Sequence, residues 1–205
     1  MEEQKQSDAQ LKSQGRRKFL LRTGAGLVIA SLPARSVWAG SGGIAQSIVA
    51  SGHGSDFANG ECLHLKSSGY FGNNGNGSNA SEFPENEMFF SDIFGGDPLD
   101  LPSGLPKTPD QITMRDVLQV NNGNTYHGTT KINRFMAAVY MNAAYHQVGS
   151  HDIYFPIIGS SPSLQTLDQF ALYLYDLALN NNTAVLSKEF ESLVNNEHPG
   201  SFQCS

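Results

Sequence analysis

The chain has 205 residues, 39% hydrophobic and 16% charged, with a formal net charge of −6. That charge is unevenly placed: residues 1–39 carry seven basic and three acidic side chains, a net +4, which leaves six basic against sixteen acidic, a net −10, for residues 40–205. A body this acidic lacks the cationic footprint by which proteins hold nucleic acid or anionic lipid, so both partner classes are set aside.

The first element in the chain is a leader. A polar stretch, Met1 to Gly15, gives way to Arg16-Arg17-Lys18-Phe19-Leu20-Leu21 and then to a short Gly-containing apolar run from Thr23 to Leu32. Roughly ten weakly apolar residues fall well short of the ~20 needed to cross a bilayer, so an uncleaved anchor is the weaker reading. Pro33, Arg35 and the small-x-small pattern at Val37-Trp38-Ala39 follow, which places cleavage after Ala39. The paired arginines closely resemble the twin-arginine export signature, with Arg16, Arg17, Phe19 and Leu20 at its signal positions. The resemblance implies handling by the twin-arginine translocase, passage across the membrane in folded form, and residence in the periplasm or outside the cell. It further implies no stable membrane span in the mature form and, as in many such substrates, room for a cofactor loaded before export.

Residues 40–110 are dominated by Gly, Asn, Ser, Pro and acidic groups and read as an irregular, loop-rich half. Gly72 to Asn79 is expected to be a turn-rich loop, since Gly and Asn favour turns and left-handed backbone. Tyr70, Phe71, Phe83, Met88, Phe89, Phe90, Ile93 and Phe94 nevertheless supply enough apolar surface to dock this half on a core. The segment Ile44 to Ala50 fits a strand or a helix equally well. Cys62 and Cys204 are the only cysteines. In an oxidising compartment they are expected to form one disulfide, worth ~2–4 kcal/mol, in preference to a reactive thiol one residue from the terminus.

From about residue 111 the periodicity becomes helical. Thr113 and Asp116 have capping-box spacing and open an apolar run of Val117, Leu118 and Val120. A long helix is predicted from Lys131 to Val148, because Ile132, Phe135, Met136, Val139, Tyr140, Ala143 and Ala144 share one face. Thr129 or Thr130 is expected to cap its start and Gly149 to end it. Ile153 to Ile158 reads as an extended apolar segment in which Pro156 forbids a central strand. Two further helices are predicted, from Leu164 to Leu179 and from Thr183 to Asn195, the second with Val185, Leu186, Phe190, Leu193 and Val194 on its apolar side. The expectation is a mainly α fold of three to five helices, one domain in which the irregular half, 40–110, packs on a helical core, 111–205.

No strong catalytic motif accompanies these elements: no Gly-x-Ser-x-Gly elbow, no phosphate-cradling loop with Lys, no HExxH and no CxxC. Ser55, His53 and Asp56 lie too close in sequence to suggest a triad. Imidazole and carboxylate groups at His53, Asp56, Glu61 and His64 form a candidate divalent-metal set, which His127, His146, His151 or His198 could complete. Solvated side chains are the plainer reading of the same residues. Glu82, Glu85, Glu87, Asp92, Asp97 and Asp100 form an acidic run with oxygen ligands for calcium but without EF-hand spacing. His146 is expected to sit as a cation near the end of the long helix.

Four short motifs occur in a meaningful order: Gly69-Tyr70-Phe71-Gly72-Asn73-Asn74, Ile93-Phe94-Gly95, Thr113-x-x-Asp116-Val117-Leu118, and Ala137-Ala138-Val139-Tyr140-Met141-Asn142-Ala143-Ala144. This order resembles extracellular modules of bacteria and archaea that begin with a Gly-Tyr-Trp-Lys-Asn-His-type motif, though Phe71, Gly72 and Asn74 replace its Trp, Lys and His. The resemblance implies a surface or secreted setting and no particular activity. The leading expectation is an exported protein with a non-catalytic interaction or structural role. The alternative is a metal-binding protein or metal-dependent enzyme of the periplasm.

Overall fold

A computed structural model describes residues 63–74, 82–119, 126–160 and 163–197, all within the unit Trp38–Ser205. Its described part is mainly α, with six α-helices: α1 (Ser68–Asn74), α2 (Phe90–Phe94), α3 (Met114–Leu118), α4 (Ile132–Ala144), α5 (Leu167–Asn180) and α6 (Thr183–Val194). Single 3-10 turns cover Pro84–Glu87 and Pro109–Gln111. Among the described residues strand pairing is limited to two isolated antiparallel bridges, His64 with Tyr154 and Phe89 with Thr113.

Helix α4 is the hub. Every residue from Ile132 to Ala143 except Arg134 is buried, so the apolar face read from sequence is only one side of a helix enclosed almost all round. It packs against α1, α3, α5 and α6, while α2 lies against α5. The core joins Phe135, Met136 and Tyr140 of α4 to Phe71, Phe90, Phe94, Leu118, Phe170, Leu174, Leu186 and Phe190 from five other helices.

The ends of α4 differ from expectation. Neither Thr129 nor Thr130 caps it: Lys131 occupies that position with left-handed backbone (φ 63°) and no side-chain cap. The first-turn N–H of Asn133 is instead taken by the carbonyl of His127 at 3.2 Å, and the Thr130 hydroxyl donates to Asp100. The helix also stops at Ala144, four residues before Val148. Gln147 turns left-handed (φ 56°) and directs its N–H to the carbonyl of Ile153, so Gly149 serves a later turn.

The other boundaries follow from caps. Thr113 and Asp116 form the expected reciprocal box on α3. Thr166 forms another with Gln169, which moves the start of α5 to Leu167 and leaves Leu164 buried outside it. The Asn182 side chain accepts from the N–H groups of Ala184 and Val185 and so begins α6. Val185 points outward, 55% exposed, rather than into the core.

The half expected to be irregular contains real helices. Gly72, Asn73 and Asn74 end α1 instead of belonging to a loop, and α2 follows within twenty residues. Glycine there meets a packing demand: a Cβ on Gly72 would lie 2.6 Å from the carbonyl oxygen of Leu118, so α1 and α3 touch backbone to backbone. At the end of α2, Gly95 takes φ 74° and, with Gly96, lets Leu172 and Tyr175 of α5 approach within what would be Cβ space. Helices of five to seven residues carry too few turns for periodicity to register, and tertiary contact overrides their weak propensity.

Candidate functional site

The residues with the most chemistry gather where an extended strap, residues 63–67, meets the loop after α4. Among the described residues the strap has no strand neighbours to form a ladder with, yet Leu63 and Leu65 are buried. Its backbone groups are met one residue at a time. His64 exchanges both hydrogen bonds with the backbone of Tyr154, at 3.0 and 2.8 Å. Leu65 gives its N–H to the Asn196 side-chain oxygen and receives the Asn196 amide on its carbonyl, both at 2.9 Å. Lys66 does the same with Asn142, at 2.7 and 2.8 Å. Asn142 is fully buried and gives its second amide hydrogen to Ala138. A buried main chain must find such partners, and here asparagine side chains stand in for a neighbouring strand.

Behind the strap lies a cluster of rings. Phe83 is 4.9 Å from Tyr145 and 5.0 Å from His151, centroid to centroid, and Tyr70 and Phe71 extend the group edge-to-face. His151 is 8% exposed, with Nδ1 3.0 Å from the Tyr70 hydroxyl and 3.6 Å from a Glu82 carboxylate oxygen. The Tyr145 hydroxyl donates to Glu85 at 2.6 Å and also faces the carbonyl of Glu82 at 3.2 Å. Burial first, then this hydrogen bond and the nearby carboxylates, push the Tyr145 phenol far up. Burial likewise raises Tyr70, with Glu82 adding to it, and holds Tyr140 up at about 12. These phenols therefore remain protonated donors at neutral pH and are not available as phenolate nucleophiles.

At the outer edge, His64 Nδ1 is 3.1 Å from Asp152, and Lys66 approaches the same carboxylate oxygen at 3.8 Å while standing 5.8 Å above the Tyr70 ring. Asp152 has left-handed backbone (φ 52°), and the consecutive residues His151 and Asp152 belong to two different acid–imidazole pairs, with Glu82 and with His64.

The positions singled out in the sequence fall unevenly on this geometry. Arg16, Arg17, Phe19, Leu20, Ala39, His53, Asp56, Glu61, Cys62, His198 and Cys204 lie outside the described residues. His64 is placed, and its neighbour is Asp152, which sequence reasoning did not select. His127 donates from Nε2 to the carbonyl of Gln119 at 2.6 Å; burial, with Arg134 and Lys131, lowers its pKa against the pull of that hydrogen bond. His146 accepts the Phe155 N–H on Nδ1 at 3.2 Å, which requires that nitrogen to be unprotonated and so corrects the expected helix-end cation. The acidic run disperses: Glu82 faces His151, Glu85 holds Tyr145, Glu87 pairs with Arg115 and Asp100 accepts from Thr130. Among the described residues no three His, Cys, Asp or Glu side chains are grouped to hold a metal ion.

No helix among the described residues is long and apolar enough to cross a membrane. Comparison with protein-family models, with curated proteins and with solved structures finds no match.

Proposed function

We propose that the chain is a twin-arginine substrate that loses residues 1–39 and serves in the periplasm or outside the cell as a non-catalytic interaction or structural protein, one domain from residue 40 onward. One observation carries the non-catalytic half. Each of the four placed histidines commits a ring nitrogen to an internal neighbour: Asp152, the Gln119 carbonyl, the Phe155 N–H, and Tyr70 with Glu82. Bonds of this kind tie imidazoles into a fold, as structural histidines do; a carboxylate on Nδ1 also orients a ring whose Nε2 can act, and that is the ground of the second reading below. The export half rests on Arg16, Arg17, Phe19 and Leu20. The clamp between Leu65 and Asn196 supports a Cys62–Cys204 disulfide. The support is one of sequence spacing: Cys62 precedes Leu65 by three residues and Cys204 follows Asn196 by eight. The test is fractionation of a tagged full chain beside its Arg16→Lys/Arg17→Lys double variant. The original chain should appear in the envelope or medium starting at Gly40, with a mass two hydrogens below the reduced value. The variant should stay in the cytoplasm. Equal export of both would sink the address, and cross-linking that captures no envelope protein would sink the interaction role.

A second reading has one favouring observation. Asp152 on His64 Nδ1 is the outer-shell arrangement that orients an imidazole so that Nε2 can ligate a divalent metal. Zinc titration by calorimetry should then show stoichiometric binding that His64→Ala removes; no saturable heat would dismiss it.

A further inference from the structure

The far end of α6 is finished by a device with two outputs. Glu197 N–H reaches back to the carbonyl of Ser192 at 2.8 Å and Asn196 N–H to that of Leu193 at 3.1 Å, the paired bonds of a Schellman ending. Asn196 sits at its left-handed position, φ 58°, where glycine is the usual residue and asparagine is tolerated. That conformation fixes the direction of its side chain, and the side chain grips both backbone groups of Leu65. Leu65 is 2% exposed, so an ungripped strap would leave a buried N–H and carbonyl without partners. The strap near the start of the described chain is therefore closed by the last turn of its last helix.

We infer that Asn196 is a completion latch: the strap at residues 63–67 closes only when the end of α6 has wound, and an open strap withholds the chain from export. The export part rests on the twin-arginine reading; the latch itself does not. Glycine is the discriminating replacement, since Asn196→Gly keeps the backbone ending and removes only the grip. Asn196→Asp is the second variant: it retains an acceptor for the Leu65 N–H but sets an oxygen against the Leu65 carbonyl.

The full chain, purified from cytoplasm and kept reduced so that no disulfide can hold the strap, is compared by hydrogen-exchange mass spectrometry. In Asn196→Gly the peptide spanning residues 63–67 should exchange about tenfold faster or more, the size that two hydrogen bonds carry, while α4 and α5 keep their protection. Asn196→Asp should behave alike. Unchanged strap exchange, or exchange that rises equally in α4 and α5, overturns the latch. In cells, both variants should reach the envelope several-fold less than the original chain. An opened strap with undiminished export overturns the gating. If the Arg16→Lys/Arg17→Lys variant is itself exported, the address fails and the gating falls with it, while the exchange result still decides the latch.

Discussion

From Ile132 to Val194 three helices of 12 to 14 residues bury apolar faces against one another; from Leu63 to Leu118 the helices are five to seven residues long and cannot close their own hydrogen bonding. The first region is held by the periodicity of its side chains. The second is held by amides and close approaches: Asn142 on Lys66, Asn196 on Leu65, and Asn133 on both backbone groups of Leu99 at 2.8 Å each. Asn86 adds a bond from its buried amide to the carbonyl of Phe71. The difference teaches that an asparagine-rich composition, which usually marks loops, can also be the means by which short elements satisfy a buried backbone.

The largest effect that would break this comparison is at Asn142. Asn142→Leu keeps the branched outline of the side chain in a bulkier form but removes three hydrogen bonds and strands the N–H and carbonyl of Lys66. The expected loss is about 3–4 kcal/mol in urea unfolding, a large part of a typical domain's stability. A loss below about 1 kcal/mol would mean that the strap does not depend on its clamps.

Gly72→Ala comes next and has a sign that decides. Inside an isolated helix alanine is favoured over glycine by about 1 kcal/mol. The new Cβ, however, would meet the Leu118 carbonyl carbon and oxygen at 2.7 and 2.6 Å, both backbone atoms that cannot rotate away. Destabilisation of about 1–3 kcal/mol is expected on thermal or urea unfolding. A stabilised variant would show that α1 and α3 need no backbone contact.

The sequence announced the first region far better than the second. The faces of α4, α5 and α6 were legible because three or more turns let a 3.6-residue period repeat, and the Thr113–Asp116 box was legible because its reciprocal geometry is local. The Thr166–Gln169 box carried the same signature and was open to the same reading. By contrast, Asn142 gripping Lys66 spans 76 residues, and nothing at either position names the other. The acid–imidazole pair of His64 with Asp152 was hidden for the same reason, and so was the ring cluster around Phe83 and His151. Long-range polar contacts have no period.

A smaller effect tests the junction between the regions, where His127 reaches Gln119. Its imidazole is held below the ordinary value chiefly by burial, so the unfolded chain takes up a proton first as pH falls below about 6.5. Above that value both states are neutral and the group contributes nothing to the pH dependence. Below it, stability is lost as pH falls through the lowered folded-state pKa. His127→Gln, which keeps a donor for the Gln119 carbonyl, should flatten that part of the stability–pH curve measured by urea unfolding. An unchanged slope would place the pH dependence elsewhere.

The smallest effect belongs inside the well-read region and shows where periodicity overreaches. Val185 falls beside Leu186 in a run that looks uniformly apolar, yet only Leu186 enters the core; Val185 is 55% exposed in the first turn of α6. Its backbone N–H is already held by the Asn182 side chain at 3.2 Å, so the cap does not depend on its side chain. Val185→Ala removes little packing and relieves the restriction that a β-branched side chain suffers in a helix, worth at most ~0.5 kcal/mol. The midpoint of urea unfolding should therefore stay put or rise slightly. A loss above about 1 kcal/mol would mean that the outer face of α6 is covered in the whole protein, and that the long-helix region, too, depends on contacts its periodicity does not reveal.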